Sequence, residues 1–354
     1  MHCPTLFEPL RLGALELANR ILVGPMCQYS AEDGCMSDWH LIHLGHLALS
    51  GAGLLALETT AVLPEGRISH ADVGLWNDHT QAALGLTLES LRRWSDVPIA
   101  VELNHAGRKA SVDVPWKGGA QLACGHPLGW QTRAPSALPC SPDRSVPQVL
   151  DQLDLQRIGE AFANAAIRAA RAGVDIVQLH AAHGYLLHQF LSPLSNRRSD
   201  EYGGALDGRM RFPLEVFDQV RAAFPANRPV LVRLCACDSL EGGWTLDQAL
   251  AFAQALEARG CAAIQVSSGG LLDGAPVEAD DQAALARAFR HATGLPVVLP
   301  GHTDDCAQVE ARLANGDADL VALTQTLLHD PRWPWRAANA LGGRVRLPRQ
   351  YRHA

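Results

Sequence analysis

Residues able to do chemistry recur at the ends of short apolar runs in this sequence. They are Cys27 and Tyr29, Thr59 and Thr60, Glu102 with His105, His180 and His183, and Arg233, then Ser267 with Ser268, Gly301 with His302, and Thr324 with Gln325. Histidines three residues apart can ligate a metal, polarise a carbonyl oxygen or fill a core. Zinc is poorly served: His180, His183 and His188 lack the His-Glu-x-x-His spacing, and no carboxylate lies between them. Glu102 follows an apolar run, and an apolar pocket raises a carboxyl pKa towards the range of a general base. A lone cysteine such as Cys27 is ordinarily a small buried hydrophobe. So many polar groups after successive apolar runs are unusual for a purely structural scaffold.

The runs that must position them are short and β-rich. They fall at 21–26, 54–59, 99–103, 175–180, 230–234, 263–266, 297–299 and 320–323. Most are continuously apolar rather than alternating, as parallel strands covered on both faces are. Helical patterns lie between them. In 153–172, Phe162, Ala166 and Ile167 share a side, and in 209–223, Phe212, Val216 and Val220 recur every four residues. Gly173 and Gly260 stand where helix-terminating glycines belong. Eight strand–helix units in series predict a single (β/α)8 TIM barrel over residues 1–354 rather than a doubly wound sheet. Active sites of such barrels form at the C-terminal ends of the strands, where these polar residues fall.

The length, 354 residues, exceeds a bare barrel of about 250. Much of the excess follows the third strand, where residues 106–150 carry six prolines around Trp116 and Trp130. A loop this long inside a compact domain is often a lid over a site. A C-terminal tail of about 341–354 and an entry segment account for the rest. Thirty Lys and Arg against 37 Asp and Glu leave a net charge of −7. With no basic run, that argues against a nucleic-acid partner. No run of 18 apolar residues predicts a membrane span, and the first residues do not read as a signal peptide. Nine cysteines without a Cys-x-x-Cys pair read as reduced thiols in a cytoplasmic protein.

Several motifs together resemble the bacterial branch of the Old Yellow Enzyme family. They are Gly24-Pro25-Met26-Cys27-Gln28-Tyr29-Ser30, the stretch from Glu58 to Ile68, and His105-Ala106-Gly107-Arg108-Lys109. His180-Ala181-Ala182-His183-Gly184-Tyr185-Leu186, the stretch from Asn196 to Gly204, and Pro331-Arg332-Trp333-Pro334 follow in the family's order. The resemblance implies an FMN-containing barrel that takes hydride from NAD(P)H and passes it to an activated C=C bond. It implies that His180 and His183 hold the carbonyl or nitro oxygen of a small-molecule substrate, an oxyanion-hole task. It implies that Tyr185 supplies the proton to the α-carbon, that Tyr29 touches substrate, and that Cys27 tunes the flavin. Flavin contacts are implied at Pro25, Met26, Cys27, Thr59, Glu102, Arg233, Gly301, Thr324 and Gln325, with Arg233 against the pyrimidine end. A homodimer or homotetramer is also implied.

The sequence departs from that pattern around the cofactor. Glu102 stands where the family usually has Gln, and an ionised carboxylate only accepts hydrogen bonds. Thr324-Gln325 replaces a Gly-Arg pair whose guanidinium grips phosphate. Pro300-Gly301-His302-Thr303-Asp304-Asp305 replaces a Gly-rich turn, and its aspartates are expected to cap the next helix. His353 stands where the family has an arginine that reaches a neighbouring subunit, with Arg352 shifted by one. Two other readings stand beside the flavin enzyme. One is a flavin-free barrel of the same descent, with Glu102 as base for an enolisation, isomerisation or elimination. The other is a barrel that binds a ligand or partner without catalysis.

Overall fold

The computed structural model describes residues 3–274, 281–301 and 303–352; His302 and His353 therefore lie outside the described residues. Eight parallel strands close into one barrel in sequence order. We number them β1 (Ile21–Val23), β2 (Leu54–Ala61), β3 (Ile99–Asn104), β4 (Ile176–Ala181), β5 (Val230–Cys235), β6 (Ile264–Ser267), β7 (Val297–Gly301) and β8 (Leu320–Leu323). The helices that follow them are α1 (Asp38–Ala48), α2 (Asp78–Arg92), α3 (Gln152–Ala172), α4 (Leu206–Ala223), α5 (Leu246–Glu257), α6 (Gln282–Ala292), α7 (Cys306–Ala314) and α8 (Trp333–Leu341). The expected TIM barrel is what the chain forms.

Each strand is apolar on both faces because its outer face meets the helices and its inner face meets the opposite strands. The outer core joins Phe162 and Ala166 of α3, Phe212 and Val216 of α4, and Val101, Val177 and Val232 of the strands. The lower interior is a second apolar cluster of Leu22, Leu54, Ala100, Ile176, Leu231, Val298 and Leu320. An antiparallel hairpin, Leu10–Leu12 with Leu15–Leu17, closes the bottom and places Leu12 and Leu17 in that cluster. That hairpin accounts for part of the extra length.

Helix ends follow local chemistry. Asp151 accepts a hydrogen bond from the Asp154 backbone at the start of α3, and Gly173 ends it at φ 90°. Asp305 accepts from the backbone of Ala307 and Gln308 and so caps α7, the role its type predicts. The predicted strand 21–26 is shorter than expected. The ladder ends where the Gly24 N–H donates to the Leu323 carbonyl, just ahead of Pro25. α4 begins a turn before residue 209 and carries Pro213 in its interior.

The segment after β3 packs back onto the barrel. Arg108 is almost wholly buried, and its guanidinium donates to the carbonyls of Leu138, Pro139 and Leu271. Gly107 takes φ 61°, and a Cβ there would lie 2.4 Å from the Gln189 side-chain amide, so only glycine fits the turn. Gln189 in turn donates to the Ala106 and Gly184 carbonyls, joining the β3 and β4 loops. Arg108→Ala would leave three carbonyls without their charged donor, at a cost of about 3 kcal/mol. Urea unfolding should show that loss, and limited proteolysis should cut within 110–145 sooner than in the parent protein.

Candidate active site

Alternation along each strand decides which side chains reach the interior, since successive residues point to opposite faces. Ala100, Ile176, Leu231 and Ala263 belong to the lower interior cluster. Two residues further up, the same parity brings in Glu102, Gln178, Arg233 and Gln265. They meet: Gln178 Nε2 donates to Glu102 Oε1 at 2.8 Å and to Gln265 Oε1 at 2.9 Å. Arg233 Nη1 lies 3.5 Å from Glu102 Oε1. The next step on β4 and β6 brings His180 and Ser267.

β2 reaches this layer differently. Continued alternation would point Glu58 inward, but the register shifts between Leu57 and Thr59. Such a bulge re-aims the side chains beyond it. Thr59 turns in, and its hydroxyl donates to Glu102 Oε2 at 2.7 Å. Glu58 instead accepts from the Gln28 backbone N–H at 3.0 Å and lies 3.3 Å from His40 Nε2 on α1. That carboxylate thereby fixes the loop bearing Cys27 and Tyr29. Sequence reasoning missed Glu58, His40 and Gln178. Only a lone glutamine at inward parity within an apolar run gave a signal for the last.

Above the polar layer, three expected residues come together. The His180 ring packs edge-to-face against His183 and Tyr185, with centroids at 5.1 and 4.8 Å. The Ala182 N–H donates to His180 Nδ1, so Nε2 carries the proton of the neutral ring. His183 Nε2 pairs with the Ser267 hydroxyl at 2.7 Å. Burial, reinforced by the Arg233 charge, pushes both histidines well below their ordinary pKa, so they are neutral near pH 7. Burial likewise raises the Tyr185 phenol far above its usual value, with the charges of neighbouring acidic groups adding to it. Tyr29 and Cys27 are raised chiefly by burial too. Tyr29 and His183 hold left-handed backbones, φ 49° and 57°. Such strain costs about 1–3 kcal/mol and concentrates at functional sites.

At the far side of the mouth, Gly301 pairs with Leu323, and Thr324 and Gln325 follow β8. Thr324 Cγ2 lies 2.7 Å from where a Cβ on Gly24 would stand. Pro25 and Met26 leave β1 beside them, part-exposed. Glu102, by contrast, has no exposed surface. It lies beneath the mouth, where its carboxylate meets Thr59, Gln178 and Arg233.

A model of the NADH:flavin oxidoreductase / NADH oxidase family matches residues 5–342. The chain is 37% identical over 352 residues to an NADPH dehydrogenase of Geobacillus thermodenitrificans, covering 98% of this chain and 97% of that protein. The chain belongs to this family. Morphinone reductase has the same fold, with a TM-score of 0.81 at 30% identity over 97% of this chain and 91% of that one. A structure of morphinone reductase in complex with tetrahydroNAD matches at TM-score 0.79 and 30% identity, over 98% of this chain and 93% of the other. The Old Yellow Enzyme resemblance is thus borne out. The protein is an NAD(P)H-dependent oxidoreductase of a flavin family whose cofactor is FMN.

The mouth fits the ring end of FMN. Arg233 is 19% exposed, and its Nε is buried with no hydrogen-bond partner, a donor left for an anionic or carbonyl-bearing ring edge. Thr59 and the half-buried Cys27 line the same end. Near the other end, Gly301, Thr324 and Gln325 offer backbone, hydroxyl and amide donors without a cation. Asn19 serves the scaffold: its side chain donates to the Gly51 carbonyl and accepts from the Ile21 N–H. His188, Cys235 and Asp238 bring ligand-type atoms within 4.8 Å. However, His188 Nδ1 accepts from the Gly184 N–H and Nε2 lies 2.9 Å from Asp238, so the ring is already engaged on both sides.

Burial lowers the His105 and His43 pKa values to about 4, below the value near 6.5 of an unfolded chain. Between these limits the unfolded chain binds more protons. Unfolding free energy therefore falls as pH drops from about 6.5 to about 4, by up to about 1.4 kcal/mol per pH unit for each group. Urea unfolding at several pH values should show this slope. His105→Gln should remove one group's share of it, and an unchanged slope would show that His105 does not contribute.

Proposed function

We propose that this enzyme reduces the activated C=C bond of an α,β-unsaturated carbonyl or nitro compound. The observation that carries this reading is the cluster of His180, His183 and Tyr185, in which the His180 ring meets each of the other two edge-to-face at the barrel mouth and all three are held in their neutral forms. When bound, FMN supplies the hydride that it takes from NAD(P)H. His180 donates from Nε2 to the substrate's carbonyl or nitro oxygen, and His183, oriented by Ser267, stands beside it. Neutral imidazoles placed before reaction stabilise the charge that develops on that oxygen without reorganising. Tyr185 keeps its proton because burial disfavours the phenolate, and it delivers that proton to the α-carbon. Tyr29 covers the substrate, with Trp116 of the long β3 loop packed edge-on at 6.2 Å. We read that loop as the site's lid on this contact.

The roles of Pro25, Met26, Cys27, Thr59, Arg233, Gly301, Thr324 and Gln325 as FMN contacts belong to the same proposal. Support for the nicotinamide partner comes from the relatives' name, NADPH dehydrogenase, and the neighbour solved with tetrahydroNAD. Nine free cysteines suit a reducing compartment, which supports the cytoplasm. No helix of the described residues is long and apolar enough to cross a membrane.

The purified protein should show flavin absorbance that bleaches with NADPH under anaerobic conditions and returns on addition of 2-cyclohexenone. A colourless protein that takes up no added FMN would sink the proposal. Tyr185→Phe should lower the rate of re-oxidation by the enone about 10²–10⁴-fold, the usual span for a lost general acid. Reduction by NADPH should proceed as before, and stopped-flow absorbance separates the two half-reactions.

A further inference from the structure

We propose that Glu102 is a positioning residue that sets the charge of the barrel mouth from beneath, and through it the reduction potential of the bound flavin. This rests on the FMN reading above. The carboxylate has no exposed surface, so it touches no ligand. Its partners do reach the mouth. Thr59 donates to Oε2 at 2.7 Å, Arg233 Nη1 lies 3.5 Å from Oε1, and His180 Nε2 stands 3.8 Å from Oε2.

A carboxylate in this layer acts twice. It offsets the positive charge of Arg233, the one described guanidinium in the polar layer, whose buried Nε has no hydrogen-bond partner. It also adds negative charge that reaches Cys27, His183 and Tyr185, favouring the protonated form of each; at Cys27 and Tyr185 it adds to the effect of burial and at His183 it opposes it. Screening is weak this far from water, so one charge is felt across several residues. Reduction of a flavin places negative charge on its pyrimidine end. A carboxylate beneath that end therefore disfavours the reduced form and lowers the potential. A neutral amide at this position, which the resembling family usually carries, keeps the acceptor for Thr59 but removes the charge.

Glu102→Gln changes that charge with little change in shape, and a residue usual at this position is accommodated by the fold. Spectroscopic redox titration of the holoenzyme should show the reduced form favoured about tenfold more in Glu102→Gln, about 30 mV upward for a two-electron couple. Glu102→Asp, which retains the charge, should stay near the parent. Alkylation of Cys27 by iodoacetamide, taken as the increment lost in Cys27→Ala, gives a readout that needs no flavin. Its rate should rise severalfold in Glu102→Gln, since more of the thiol ionises. A holoenzyme potential that does not move overturns the inference, as does one that moves equally in Glu102→Asp. If the chain takes up no flavin, the absorption spectrum has overturned the functional proposal. The alkylation rate then decides the charge of the mouth in the same way.

Discussion

A carboxylate sealed from water must be matched by donors or it forces the fold apart, since an unpaired buried charge costs several kcal/mol. Glu102 meets that demand with Thr59 on one strand, Gln178 on another and Arg233 on a third. Three strands are thereby fixed in height and rotation at the level just below the mouth. Gln178 extends the layer to Gln265 on a fourth strand. The placement of His180 and His183 above it follows from this layer, because parity along β4 sets His180 two residues beyond Gln178. A change in register on any of these strands would break several hydrogen bonds at once.

The same layer explains the bulge in β2. Without it, Glu58 would bring a second carboxylate into a layer already holding one, and Thr59 would face the helices. With it, Glu58 leaves the interior and pins the Cys27–Tyr29 loop through the Gln28 N–H. Two carboxylates are kept apart, and each orders a different side of the mouth. The β3 insertion completes the enclosure. Arg108 ties it inward, and Trp116 reaches the ring of Tyr29.

The eight strands were legible in the sequence because burial on both faces leaves runs of Val, Ile, Leu and Ala that differ from the helices between them. The entry hairpin was not, since three-residue strands such as Leu10–Leu12 carry too little pattern. Strand ends were off by one to three residues where backbone ladders, rather than side chains, decide them, as at Gly24. The site was legible where residue types are clustered in sequence, as with His180, His183 and Tyr185. It was illegible where groups meet only through closure of the barrel. Gln178 and Gln265 are 87 positions apart, and the bulge that selects Thr59 over Glu58 leaves no mark in composition. The depth of Glu102 was equally hidden. Its position at a strand end suggested contact with a ligand, yet one extra level of side chains stands above it.

That depth bears on the acid–base alternative. A general base must come within hydrogen-bond reach of the proton it removes. Both oxygens of Glu102 already accept hydrogen bonds, and no surface of it meets the mouth. Among the described residues, hydroxyl, phenol, thiol, guanidinium and neutral imidazole groups reach the mouth, and burial holds the phenols and the thiol of Cys27 in their protonated forms. A mouth built from donors is suited to receive negative charge as it develops, rather than to generate it by removing a proton. The electrons must then come from a reductant held against these residues. The part-exposed Arg233, with its unpartnered Nε, offers the anchoring donor such a group requires.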